Sequence, residues 1–165
     1  MSKLKTWEWK TKKRTLLKNI HPGDIFCFTK DYEKYHFGRI ISKTIVGHMV
    51  EILNLTHDAP SISQESLENA TLAIPPLVLD SYAIFDRKID SSCEWRMIGH
   101  QDAMQPERYA GHYFVYGTHN SWKKTNSLNE QLEISNAEAL AWPLLTALNN
   151  YNFWIKISKE PQLSW

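Results

Sequence analysis

The chain has 165 residues, enough to bury a core without disulfides or metal, and its 42% hydrophobic and 22% charged residues exclude wholesale disorder. Net charge is only +1, yet residues 1–20 hold seven basic side chains against the single Glu8, so the remainder carries a net −5. The apolar runs are short and broken by proline, and charge within Trp7-Glu8-Trp9-Lys10 leaves no apolar leader, which points to a cytoplasmic protein without a membrane span.

In chain order, the basic segment of about residues 1–18 comes first. Lysines interleaved with Trp7 and Trp9 fit a nucleic-acid arm, because stacking and phosphate attraction need those two residue types. The alternative is an alternating edge strand over 6–12 kept soluble by its lysines. Residues 23–55 then read as a three-stranded antiparallel meander. Ile25–Phe28 is apolar on both faces, Tyr35 to about Lys43 follows, and His48–Leu55 alternates, with connections short enough for hairpins. Gly23 suits a turn, and Gly38 in mid-strand marks a bulge or an aromatic packed against backbone.

Ser61 and Gln64 have capping-box spacing before a short helix over 62–70. Leu77–Phe85 alternates as a strand, 86–93 reads as a loop, and Glu94–His100 as another strand. An irregular connection over 101–111 leads to an aromatic strand over 112–116, and 118–129 is a strand end or a loop. Ser135 and Glu138 open the clearest helix, with Leu140, Leu144, Ala147, Leu148 and Tyr151 on one face; Pro143 kinks or restarts it. Asn149-Asn150 reads as its stop, and Phe153–Ser158 as a final strand in preference to continued helix. The fold class is therefore α+β and β-rich. It is a strongly twisted antiparallel sheet or half-barrel, with a short helix after the third strand and a C-terminal helix packed on the sheet. Residues 1–165 form one domain, with 61–158 supplying the elements after the meander.

No reaction centre is legible. The seven histidines lack metal-ligand spacing and no CxxC accompanies them, so no metal or cofactor is expected. There is no GxSxG elbow and no glycine-rich phosphate loop. Cys27, in an apolar strand, reads as a small buried hydrophobe. Seven tryptophans and seven tyrosines exceed what one small core needs, so some rings belong at a protein-binding surface. Trp95, Trp142 and Trp154 are assigned to the core and Trp122 to the surface.

Two blocks resemble the immunity protein 26 family of bacterial polymorphic toxin systems. The first is Pro22-Gly23-Asp24-Ile25-Phe26-Cys27-Phe28 followed by Tyr35-His36-Phe37-Gly38-Arg39-Ile40. The second runs from Leu77-Val78-Leu79 through Ile84-Phe85 to Trp95-Arg96-Met97-Ile98-Gly99-His100. The resemblance covers about residues 20–102 and implies a cytoplasmic, non-enzymatic antidote that binds one cognate toxin domain. Toxins of such contact-dependent or secretion-delivered systems are often nucleases, whose active surfaces are basic, so an acidic, ring-bearing face would meet them. On that expectation Glu65, Glu68, Asp86, Asp90 and Glu94 are the electrostatic candidates, with Tyr82 and Trp122 as anchors. Nucleic acid is then an unlikely main partner, given the acidic remainder of the chain.

Overall fold

The structure, a computed structural model, describes residues 3–102 and 104–165; Met1 and Ser2 of the basic segment and Ala103 of the 101–111 connection lie outside it. Among the described residues ten strands form two sheets. The larger contains β1 (Leu4–Thr6), β2 (Asp24–Thr29), β3 (Tyr35–Lys43), β4 (His48–His57), β5 (Leu77–Leu79), β6 (Glu94–Gln101) and β10 (Ala147–Leu148), in the order β1-β6-β2-β3-β4-β5-β10. The smaller contains β7 (Phe114–Thr118), β8 (Ser121–Thr125) and β9 (Gln131–Ile134). The meander over 23–55 is present as β2-β3-β4. The large sheet is mixed rather than purely antiparallel, because β10 pairs parallel with β5, and it is open rather than closed into a barrel.

The sheet is covered on both faces, and strand alternation assigns each side chain to its side. Phe26 and Phe28 of β2 point to one face, where they pack with Ile40, Val50, Ile52, Trp95 and Met97. Phe28 stacks on Trp95 at 4.1 Å between ring centroids, and Phe153 meets Trp95 edge-on at 4.9 Å; each such pair adds about 1 kcal/mol beyond its burial. Ile25 and Cys27 point to the other face, into a cluster with Tyr35, Phe37, Leu53 and Ile98. This second cluster is capped by Ile62 and by Leu67 of helix α1 (Gln64–Asn69). A third cluster of Ile41, Met49, Val78, Met104 and Phe114 joins the smaller sheet to the larger. Between the second and third clusters, Arg39 and Glu51 face each other across β3 and β4 with Nε–Oε2 at 2.8 Å, and Gln101 and Tyr109 complete that buried polar layer.

Several segments differ from the sequence reading, among them 118–134, where a strand end or loop is expected over 118–129 and the strands β8 and β9 are found. The strand expected over 77–85 ends at Leu79, and Tyr82–Asp86 is a π-helical turn instead. Asp80 causes the switch: its Oδ1 accepts from Ala83 N–H at 3.1 Å and its carbonyl from Ile84 N–H at 3.0 Å, so the backbone bonds locally. The helix expected from Ser135 is only α2 (Asn136–Ala139). Ser135 Oγ caps it by accepting from Glu138 N–H at 3.0 Å, but Leu140 is left 89% exposed.

Pro143 takes Leu144 out of that helix into a parallel bridge with Val115. The strand expected over 153–158 is helix α3 (Asn150–Ser158), because Asn149 is not a stop but an N-cap, accepting from Asn152 N–H at 2.9 Å. Helix α1 is likewise capped by Ser63 rather than Ser61.

The basic segment is not a free arm. Only Leu4–Thr6 is strand, paired with β6, and the chain is then stitched down. Trp7 donates from Nε1 to the Met97 carbonyl at 2.7 Å, and Lys12 lies over its ring. Trp9 packs edge-on against Tyr35 beneath the Arg96 guanidinium. Both rings that a nucleic acid would stack on are engaged within the fold.

Candidate functional site

The seven sequence candidates do not form one surface. Glu65 and Glu68 lie on the wet side of α1, over the Cys27 face. Tyr82, Asp86 and Asp90 belong to the π-helical turn and the loop after it, whose Ile84 and Phe85 pack on the opposite, Phe26 face. Trp122 is half-buried on β8 in the smaller sheet.

Two of the acids are engaged inside the fold. Asp86 is buried: its Oδ1 accepts from Arg14 at 2.6 Å and 3.1 Å, and its Oδ2 from Leu17 N–H at 3.0 Å. The Arg14 guanidinium, seconded by that backbone bond, holds the Asp86 carboxyl below the usual carboxylate range. Glu94 is half-buried between Lys88 and Arg96, the latter at 3.2 Å. Lys88 also donates to the carbonyls of Lys13 and Trp95, so it ties the basic segment to β6. These two carboxylates anchor the loop.

What remains around Tyr82 and Asp90 is a coherent rim. Asp80, Ala83, Ile84, Ile89, Asp90, Trp95, Asn149 and Asn150 line a cavity of about 150 Å³. Of the lining residues Ile89 is 73% exposed, and next in sequence to two others, Ala83 and Asn150, come the exposed Tyr82 at 44% and Tyr151 at 67%. The rim is tied to the core by Asn150, which is buried at the start of α3. Asn150 Oδ1 accepts from the Trp95 indole at 2.9 Å, while its Nδ2 donates to Asp90 Oδ2 at 2.7 Å and to Ser92 Oγ at 2.9 Å. One amide thereby links the centre of the core to the exposed loop. The Asn150 bond, followed by the Ser92 N–H, lowers the Asp90 pKa, so the carboxylate is ionised at neutral pH.

Among the described residues neither Asp80 nor Asp90 has a Lys, Arg or His within ion-pair distance, and the loop's one exposed cation is Arg87. Unpaired carboxylates beside exposed apolar side chains suit a basic protein surface with an apolar patch of its own.

Of the residues around this cavity Tyr82 and Asp90 are sequence candidates, Asp80 reads from the sequence as a strand-end turn or capping group and does cap the turn, and Ile89, Asn150 and Tyr151 have no signal in the sequence that places them here. Asn149-Asn150 was visible as a pair, yet only the helix beginning there brings Asn150 beneath the loop. Of the three tryptophans assigned to the core, Trp95 is buried, while Trp154 is half-buried against Phe28 and Trp142 half-buried against Tyr113. Cys27 and Cys93 are buried free thiols on opposite faces of the sheet, and burial raises both pKa values, that of Cys93 to about 12. No group of three or more His, Cys, Asp or Glu side chains among the described residues is placed to hold a metal ion.

The large sheet is thus covered on both faces, its Arg39–Glu51 pair lies inside the fold, and the rim beside Asp90 and Ile89 faces outward. The chain belongs to the immunity protein 26 family, whose family model matches residues 21–127. It is accordingly an immunity protein for a toxin, and the matched span contains β2 to β8 and the whole Asp80–Asp90 loop. No curated protein and no solved structure gives a match.

Proposed function

We propose that this protein neutralises its toxin by direct 1:1 association through the rim formed by residues 80–90 and the first turns of α3, and does no covalent chemistry itself. The observation that carries the proposal is that exposed Asp90 and half-buried Asp80, neither with an ion-pair partner among the described residues, line one cavity with the exposed Ile89 on a loop tied from below by Asn150. Tyr82 and Tyr151 act as anchors, since tyrosine brings large contact area at low entropic cost. The two acids select a basic partner and speed its approach. A toxin that grips phosphates presents such a basic face, so the partner is a nuclease domain whose substrate cleft the rim covers. Inhibition then takes place where the toxin acts, in the cytoplasm.

Growth rescue tests this reading. The toxin domain encoded immediately upstream is expressed from an inducible promoter, with and without this chain. Rescue by the wild type that is lost with the Tyr82→Ala, Asp90→Lys double variant supports the rim. Rescue that survives the double variant moves the interface elsewhere, and no rescue by the wild type removes the pairing with that toxin.

A further inference from the structure

The smaller sheet carries an edge that the toxin reading does not use. At its inner edge Val115 of β7 donates to the Pro143 carbonyl at 2.9 Å and accepts from Leu145 N–H at 2.8 Å, so both Val115 groups point away from β8. Antiparallel pairs alternate between bonded and non-bonded. Val115–Lys124 is therefore a non-bonded pair, and Lys124 and Trp122 of β8 bond outward to Leu132 and Ile134 of β9. It follows that the N–H and C=O of Gln131 and Glu133 point out of the sheet on the far side of β9. No backbone or side-chain partner meets them among the described residues.

The other outer strands are protected. β1 is three residues long with Lys3 and Lys5 on and beside it, and β10 is two residues long and runs into α3. β9 has no proline, lysine or bulge, and it exposes Leu132 at 46%.

The register available to a second copy is fixed by those outward groups. Antiparallel self-pairing must match outward residues with outward residues. Placing Glu133 opposite its own image puts like charges face to face, and centring on Gln131 pairs Glu133 with Asn129, which sits in a left-handed turn at φ 58°. Only a two-fold axis at Leu132 pairs Gln131 with Glu133 of the other copy twice over, giving four main-chain hydrogen bonds and no directly opposed like charges. It also seats the exposed Leu132 against its own image, while Glu130, held by Asn126 Nδ2 at 3.1 Å, stays at the flank.

We propose that β9 is a self-association edge: two copies pair β9 with β9, antiparallel and centred on Leu132, into one continuous six-stranded sheet. A contact of four residues per strand is small, so the dimer is weak and concentration-dependent. The assignment is independent of the toxin reading, because the Asp80–Asp90 rim lies on the opposite face of the large sheet from the cluster that carries the smaller one.

Sedimentation velocity on the full chain from about 5 µM to about 500 µM tests it, a range suited to a micromolar dimer. The wild type is expected to shift from monomer to dimer, and Leu132→Asp to remain monomeric with an unchanged melting temperature at low concentration. The register is read by Leu132→Cys, which is expected to form a disulfide-linked dimer under mild oxidation, whereas Gln131→Cys alone is not. Cys27 and Cys93 are buried and do not compete. A wild type that stays monomeric throughout, a dimer indifferent to Leu132→Asp, or equal cross-linking by Gln131→Cys overturns the proposal.

Discussion

Replacing Asn150 by alanine probes the link between core and rim. The substitution removes the acceptor of the Trp95 indole and the donor to Asp90 and Ser92. Trp95 is buried, so its N–H is left without a partner, at a cost of about 1–2 kcal/mol. The bonds to Asp90 and Ser92 contribute roughly 2 kcal/mol together, and since both partners are exposed, water recovers about half of that. The expected loss is about 2–3 kcal/mol, which for a chain of this size lowers the melting temperature by roughly 5–10 °C. Urea denaturation followed by tryptophan fluorescence measures it. Asn150→Asp is the informative companion: it keeps an acceptor for Trp95 but sets a second carboxylate against Asp90, so its stability should recover as pH falls. A loss below about 0.5 kcal/mol for Asn150→Ala would mean that the amide does not couple loop to core.

Stability should also fall on the acid side of neutrality. Burial depresses His36 and His48 to about 4, so between the ordinary histidine pKa of 6.5 and that value the unfolded chain takes up protons that the fold does not. Each histidine then costs about 2 kcal/mol by pH ~5, and unchanged urea midpoints between pH 7 and 5 would contradict this. Asp86 acts in the same direction at lower pH: its depressed pKa gives stability that is present above the usual carboxylate range and lost as pH falls through the folded value. Gly38→Ala brings a Cβ within 2.6 Å of the Glu51 carbonyl and into the Phe26 ring. Overpacking of this kind costs roughly 1–3 kcal/mol, and a thermal melt matching the wild type would rule the clash out.

Much of the fold could be read before any coordinates. The three strands over 23–55 are legible because short polar turns separate apolar runs that the fold buries on both faces, and Gly38, read as a bulge or an aromatic packed on backbone, has both: a register shift beside it and the Phe26 ring against it. The family motif around Phe37-Gly38-Arg39 rests on the same geometry, since Arg39 finds Glu51 directly across the ladder. Misreadings arose where a short polar side chain redirected the backbone. Asp80 turned an apparent strand into a π-helical turn, and Asn149 began a helix where it seemed to end one. Leu140 and Leu144 keep helical spacing but lie outside any helix, because Ser135 caps only one turn before Pro143 intervenes.

The candidate surface was half legible. Tyr82 and Asp90 are local signals, whereas Asn150 reaches the loop through tertiary contact at a sequence separation of 60 residues. Asp86 and Glu94 looked like free charges because nothing local reveals that Arg14 and Lys88 meet them.

The most direct test of the account is calorimetric titration of this protein with the toxin domain encoded beside it. The account predicts a 1:1 complex whose affinity weakens with added salt and falls by about thirtyfold or more in Tyr82→Ala, with Asp90→Lys weaker still. A complex equally tight for the wild type and both variants, or no heat of binding at all, would contradict it.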